Sequence, residues 1–288
     1  MSYVYLIATV FLNASASVLG KYYNAKNVDE KDPTALYNFL QLISVFVGWG
    51  VLYAFDFSFD TRVLPYSVLF ALSYTMYNVG IINALKYGPA SLSSLFVSLS
   101  LIFVTVWGFI FWSAKITAIV VVGLVFVVAS IFLCLFENKK DEKKFSLKWL
   151  LFVLLAFIGN AGCSIIQRTQ QIDFDGEHGK MLMAFASLLS LAVFAVMMLV
   201  GKKSSNKTVL RRSWYFPVSA GLCNVALNFF VMLLALSELS PSLIYPTIGV
   251  GGLIVVILFS LFAFKEKLRV LQWVGVALGI AATVLLSL

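Results

Sequence analysis

The sequence has 288 residues, of which 61% are hydrophobic and 12% charged, with a formal net charge of +8 and a mean hydropathy of +0.96. Soluble proteins contain roughly 45–50% apolar and about 25% charged residues, and a folded domain must turn much of its surface to water. The composition therefore excludes a water-soluble enzyme and a disordered chain, and it predicts a protein that folds in a lipid bilayer.

Ten apolar runs follow one another along the chain, each near the roughly 20 residues that a helix needs to cross a membrane. In chain order, predicted spans 1 to 10 cover Ser2–Gly20, Ala35–Phe55, Val63–Leu85, Ala90–Trp112, Ile116–Phe136, Trp149–Gln167, Met181–Val200, Trp214–Leu236, Ser242–Phe264 and Val270–Leu288. The first run has no basic segment before it and no cleavage site after it, so we expect a span and not a signal peptide. The sequence predicts an all-α, polytopic membrane protein with ten transmembrane helices.

The two halves of the chain share a pattern of polar and small residues. Matched positions, such as Asn13 with Asn160 and Asn78 with Asn228, lie between 147 and 152 residues apart, in the same order. Each half holds five spans, an odd number, so the second half must be inserted upside down. We predict a first five-helix repeat over residues 1–136, a charged linker over 137–148 and a second, inverted repeat over 149–288. Inverted repeats are typical of transporters with a site near the midplane.

Basic residues concentrate at one side of the predicted membrane protein. The connections after spans 1, 3, 5, 7 and 9 hold 17 of the 21 Lys and Arg residues, and the others hold 4. By the positive-inside rule these richer connections lie in the cytoplasm and both termini lie outside. We expect a multi-pass protein of the cell's inner or plasma membrane. Its basic connections would contact anionic lipid and no nucleic acid, because they are short and lack a reading fold.

The thirteen acidic residues all lie in predicted connections or at helix ends. The sequence thus offers no carboxylate in mid-span for taking up a proton or a cation, and we expect the single histidine, His178, to be a solvated loop residue. The cysteines, Cys134, Cys163 and Cys223, lie far apart without metal-ligand spacing. An intramembrane enzyme would need a nucleophile or a metal cluster. We therefore predict no catalytic residue, no metal and no cofactor.

Uncharged polar residues form four pairs at four-residue spacing, which places each pair on one helix face. The pairs lie in spans 1, 3, 6 and 8: Asn13 and Ser17, Tyr74 and Asn78, Asn160 and Ser164, Asn224 and Asn228. An amide in hydrocarbon is costly without partners, so these faces should point inward and enclose one cavity. We predict that these residues bind the substrate, with Tyr77 and Tyr245 as aromatic walls. The alternative is that they only hydrogen-bond neighbouring helices.

Two basic residues, Lys21 and Arg168, end spans 1 and 6 at equivalent positions. The simplest interpretation is that both side chains extend to lipid headgroups. The alternative is that each acts as a gate or attracts anions at one mouth of the cavity. Gly275 and Gly279 form a GxxxG pattern that indicates close helix packing.

Several short motifs carry a family resemblance. They are ALKYGPASLSSLF from Ala84, ALSELSPSLIYPTIG from Ala235, and FKEKL from Phe264 with Gln272 and Gly275 after it. These motifs resemble the EamA-like members of the drug/metabolite transporter superfamily, which have ten short spans in a five-plus-five inverted repeat. The first half departs from the pattern at Ser94, where the second half has Pro246. The resemblance implies a carrier that moves a small-molecule substrate by alternating access.

The predicted polar cavity indicates the class of solute. Amides and hydroxyls both donate and accept hydrogen bonds, which suits a neutral or zwitterionic, amino-acid-like metabolite. Aromatic faces can also hold a quaternary ammonium, so export or import of a quaternary amine or drug-like solute is the alternative. In a different class, the chain would be a channel or a membrane scaffold. We expect a monomer or a homodimer.

Overall fold

The computed structural model describes residues 1–27, 34–87, 90–135, 147–200, 206–263 and 270–287. All regular structure within these ranges is helical. Five of the helices are long and apolar enough to cross a membrane, and four shorter apolar segments accompany them among the described residues. The prediction of an all-α membrane protein is confirmed at this level.

Ten of the described helices have 18 to 27 residues, and each lies on one of the predicted apolar runs. They are α1 Ser2–Lys26, α2 Thr34–Phe55, α3 Leu64–Tyr87, α4 Ala90–Phe111, α5 Ala118–Leu135, α6 Leu147–Asp173, α7 Gly179–Val200, α9 Tyr215–Ala235, α10 Pro241–Ala263 and α11 Val270–Ser287. An eight-residue helix, α8 Asn206–Ser213, was not predicted. A 3₁₀ turn, Thr61–Val63, precedes α3.

Some predicted connections fall outside the described residues. These include 137–146 of the predicted linker, and Gly88 and Pro89 of the turn before α4. The linker was predicted to end at Lys148, but α6 begins at Leu147. In the second half, Pro241 is the first residue of α10, as a proline at a helix start should be.

Glycines allow the closest helix crossing, between α3 and α6. A Cβ atom at Gly80 would lie 2.5 Å from the backbone nitrogen of Ala156, and one at Gly159 would lie 2.5 Å from the carbonyl oxygen of Ser73. Real Cβ atoms do not approach backbone so closely, so only glycine permits this contact. Small residues at interfaces are the usual way for membrane helices to pack.

A second close contact joins α5 to α11. The hydroxyl of Ser130 donates to the carbonyl oxygen of Gly275 at 2.6 Å, and Gly279 lies against the same serine. The close packing predicted from the GxxxG pattern is therefore present.

The most extensive of the other helix contacts cross between the two halves of the chain. α1 packs on α9 and α10, while α6 packs on α3 and α4. α2 packs on α7 and α9, α7 also packs on α3, and α4 packs on α10. Helices of the first half therefore pack against helices of the second half.

Successive long helices run in opposite directions and give the bundle two ends. The end that holds Ser2 and Ser287 is called the termini end, and it also holds the connections α2–α3, α4–α5, α6–α7 and α9–α10. The opposite end is called the basic end, and it holds α8.

Candidate functional site

A small cavity lies between helices of both halves. It is lined by residues of α2, α3, α7 and α9: Val45, Phe70, Tyr74, Met183, Ala186, Ser187 and Asn224. The cavity leaves about 10 Å³ for the centres of water molecules, which is room for about one water. Tyr74 and Asn224 were both predicted to bind substrate, and the structure places both side chains in the wall of this small cavity.

Local hydrogen bonds hold the polar residues near this cavity. Asn78 donates to the carbonyl oxygen of Tyr74 at 2.8 Å, and Tyr74 stacks on Phe70 with 6.2 Å between ring centroids. In the other half, Asn228 donates to the side-chain oxygen of Asn224 at 3.1 Å. Each predicted pair therefore remains a unit on its own helix, and each unit has one member in the cavity wall.

The two remaining asparagines make bonds between helices, away from the cavity lining. Asn13 on α1 donates to the carbonyl oxygen of Ile248 on α10 at 3.3 Å. Asn160 on α6 donates to the hydroxyl of Ser100 on α4 at 2.7 Å. Such bonds are typical of helix association in membranes.

The other predicted site residues are distributed more widely. Ser164 donates to the carbonyl oxygen of Asn160 on its own helix, and the backbone of Tyr77 lies against Gly159 at the α3–α6 crossing. The side chains of Ser17 and Lys21 lie outside the described residues. None of these four side chains is among those that line the described cavity.

Arg168 is buried, with 8% of its surface exposed. Its guanidinium carbon lies 5.2 Å from the centre of the Trp112 ring, and the hydroxyl of Tyr245 interacts with the same guanidinium. Among the described residues, its Nε and Nη1 atoms have no hydrogen-bond partner. The interpretation that Arg168 extends to lipid headgroups is wrong, because the side chain is enclosed between helices and not presented to the surface.

Three buried glutamines beside Arg168 were missed as candidates. Gln167 donates to the carbonyl oxygen of Asn228 at 3.0 Å, Gln170 donates to the carbonyl oxygen of Glu177 at 2.8 Å, and Gln171 donates to Gln170 at 2.5 Å. The predicted span ended at Gln167, whereas α6 continues to Asp173. The sequence signal for these glutamines was the run Gln-Arg-Thr-Gln-Gln, because it continues the helix of the preceding segment without an interruption.

Polar contacts between the halves close the termini end. Lys180 donates to Asp56 at 2.6 Å, Tyr66 donates to Asp173 at 2.5 Å, and the His178 ring nitrogen Nδ1 lies 2.9 Å from the Ser58 hydroxyl. His178 was expected to be a solvated loop residue, yet it bridges the two halves.

Polar contacts also join the two halves of the chain at the basic end. Lys26 donates to the hydroxyl of Tyr215 at 2.8 Å, and Asn27 donates to the hydroxyl of Ser213 at 3.2 Å. Both residues of the first half reach the segment where α8 meets α9. Polar contacts therefore join the two halves of the chain at both ends.

One acidic residue near the termini end is strongly held in its charged form. Arg62 donates three side-chain hydrogen bonds to Asp60, and its backbone nitrogen donates a fourth. These bonds lower the pKa of Asp60 to about 2. The connection between α2 and α3 thus keeps a fixed negative charge over the physiological pH range.

Comparison with known proteins gives a family. The model of the EamA-like transporter family matches residues 147–288, the whole second half of the chain. The chain belongs to the drug/metabolite transporter superfamily. It is an integral, multi-pass membrane protein, consistent with its apolar helices. No curated protein shows significant sequence similarity to it.

Comparison with solved structures shows that the fold of this chain is shared. One crystal structure matches 99% of this chain and 95% of its own, with a TM-score of 0.75 and 14% sequence identity. At that identity the likeness establishes the fold alone. Membership of a transporter family indicates transport of small solutes and fits the absence of a predicted catalytic group.

Proposed function

We propose that the protein is a secondary transporter of a small polar organic metabolite, which it moves by alternating access around a site between its two halves. All ten long helices cross the membrane in this account, as two inverted five-helix repeats. The observation that carries the proposal is the exchange symmetry of the most extensive helix contacts.

That symmetry is seen when each helix is replaced by its counterpart in the other half. The pair α1 with α9 becomes α6 with α3, and the pair α1 with α10 becomes α6 with α4; all four contacts are present. The pair α2 with α9 likewise becomes α7 with α3, and the pairs α2 with α7, α4 with α10 and α5 with α11 map onto themselves. A two-fold relation of this kind supports the inverted repeat and allows the two halves to rock.

The contacts at the two ends fit such a cycle. One set of bonds joins the halves at the termini end, and another joins them at the basic end. The contacts of Lys180, Tyr66 and Lys26 are exposed, and exposed contacts contribute little stability each, so they can break at low cost. The bond between Asn27 and Ser213 at the basic end is buried. The closed cavity at Tyr74 and Asn224 would then open to one side at a time.

The residues at the cavity indicate a solute of modest polarity. Asn224 and Ser187 supply donors and acceptors, while Phe70, Tyr74 and Met183 supply apolar and aromatic walls. Sites for small molecules combine mostly apolar walls with a few polar groups that fix orientation. An amino-acid-like metabolite fits this composition.

Counterflow in proteoliposomes tests the proposal. Vesicles loaded with one unlabelled solute of a metabolite panel would accumulate the same labelled solute, because a carrier exchanges faster than it moves empty. A saturable uptake that rises with internal solute is the expected result. Flux that grows linearly with concentration would indicate a channel, and vesicles without any flux above empty controls would favour a scaffold.

A further inference from the structure

We propose that Arg168 binds an anionic group of the solute, a carboxylate or a phosphate, at the interface between the two halves. This inference rests on the proposed transport function and names the class of substrate. The charge of Arg168 has no ion-pair partner within the described part of the chain.

The guanidinium of Arg168 is a permanent cation with five N–H donors. It is 92% buried, since 8% of its surface is exposed. Among the described residues, Nε and Nη1 have no acceptor, and neither described ion pair includes this side chain. A buried, unpaired charge is among the costliest features in a protein. Its presence indicates that a partner from outside the chain completes the site.

The groups around Arg168 hold the cation without using up its donors. The Trp112 ring lies 5.2 Å from the guanidinium carbon and attracts a cation through its face, but a ring face accepts no in-plane hydrogen bond. Tyr245 is buried beside the guanidinium, and its hydroxyl can donate to an anion. A carboxylate or phosphate offers two acceptor oxygens to the guanidinium fork. The arrangement therefore suits an oxyanion better than a neutral solute.

The position of Arg168 couples such an anion to the motion of the halves. Trp112 follows α4 in the first half, whereas Arg168 and Tyr245 lie on α6 and α10 in the second. Arg168 is five residues from the end of α6 at Asp173, about 7.5 Å along the helix axis. Separation of the halves at the termini end would part Trp112 from Arg168 and expose the anion site.

Hydrogen bonds that begin at the residue beside Arg168 reach the wall of the cavity. The neighbour of Arg168, Gln167, donates to the backbone of Asn228, and Asn228 donates to the side chain of Asn224 in the cavity wall. An amino-acid-like solute would thus find a cation for its carboxylate on α6 and amide groups for its remainder on α9.

A lipid headgroup carries the same phosphate chemistry, so the experiment separates the two sources. Thermal unfolding is followed in neutral detergent with matched solutes: L-phenylalanine and its amide, glucose 6-phosphate and glucose, acetate, and inorganic phosphate. A parallel arm adds phosphatidylglycerol and no soluble anion. We expect at least one solute with a carboxylate or phosphate to raise the unfolding temperature, while its partner without that group (the amide or glucose) does not.

Variants then assign the effect to the guanidinium. Loss of a charged hydrogen-bonding partner should weaken binding of that anion about 10- to 100-fold in Arg168→Gln, with Arg168→Lys between the two. Arg212→Gln removes an exposed arginine of α8 and should leave binding unchanged. If Arg168→Gln does not fold, Arg168→Lys retains the charge, and weaker anion binding in it alone still tests the fork.

The outcomes distinguish this inference from the transport proposal. Stabilisation by no soluble anion, by phosphatidylglycerol alone, or equally in wild type and Arg168→Gln would overturn the anion site. Counterflow of a neutral solute that survives in Arg168→Gln would leave the carrier standing without that site. Anion binding that depends on Arg168, in a protein that exchanges no solute, would instead overturn the transport proposal.

Discussion

Lys180 donates to the carboxylate of Asp56 at 2.6 Å, and this ion pair joins the first turn of α7 to the residue after α2. The two residues belong to different halves of the chain. With Ser58 and His178 beside them, they hold the termini end closed in the described structure. Alternating access requires that this contact break once in every cycle.

A tether across this contact should stop transport. In a variant without native cysteines, Ser58→Cys with His178→Cys places two thiols where the side chains now lie 2.9 Å apart. A short bis-maleimide should reduce solute counterflow by more than about tenfold, because the halves can no longer separate there. Asp60→Cys with Arg62→Cys, a pair in contact within the first half, is the control. Equal flux in both tethered proteins would contradict a separation of the halves at the termini end.

Substitution at the α3–α6 crossing should destabilise the fold. A Cβ in Gly159→Ala would meet the backbone of Ser73 at 2.5 Å, and overpacking of this kind costs about 1–3 kcal/mol. Gly50→Ala, whose Cβ would have no atom within 4 Å, should cost nothing. Thermal unfolding in detergent measures both, and an unchanged midpoint for Gly159→Ala would show that the crossing is looser than described.

Asn224→Leu should abolish transport and leave the protein folded. The side chain lines a cavity that holds about one water, so a leucine of similar size fits but removes the amide. Asn83→Leu is the control, because the side chain of Asn83 also bonds within its own helix, to Val79, but does not line the described cavity. Counterflow with a folded-protein assay separates the two; a functional Asn224→Leu would remove this residue from the site.

Asp60 should titrate well below an ordinary aspartate. Its pKa is about 2 because Arg62 donates to the charged form, and Arg62→Gln should raise it toward the ordinary value of about 4, with the backbone N–H of residue 62 still donating. Because the pKa is lowered, the stabilising contact is complete above about pH 4 and is lost as the pH falls through about 2. NMR titration of a labelled Asp60 carboxyl measures both values, and identical pKa values in the two proteins would contradict this cause.

Long apolar runs made the helices predictable, because a run of about 20 apolar residues has few other folds. The same reasoning missed α8, whose eight residues Asn-Lys-Thr-Val-Leu-Arg-Arg-Ser are too polar for a span and too few to show a clear period. Helix ends were also less certain, as the extension of α6 beyond Gln167 shows.

The site was less accessible to prediction, since its geometry depends on contacts far apart in sequence. Asn13 and Ile248 bond across 235 positions, and nothing in either segment names the other. Arg168 ends an apolar run, where a lysine or arginine usually reaches water. Only the packing of Trp112 and Tyr245 around it decides that it is enclosed.

The most direct test of alternating access is the accessibility of position 224 from each side of the membrane. In a variant without native cysteines, Asn224→Cys is treated with a charged, impermeant thiol reagent applied to one face of oriented vesicles at a time. A lipid-facing control, Val47→Cys, is half exposed on the surface of α2 and should stay unlabelled. Alternating access predicts labelling of position 224 from both faces. Labelling from one face only, or from neither, would contradict it.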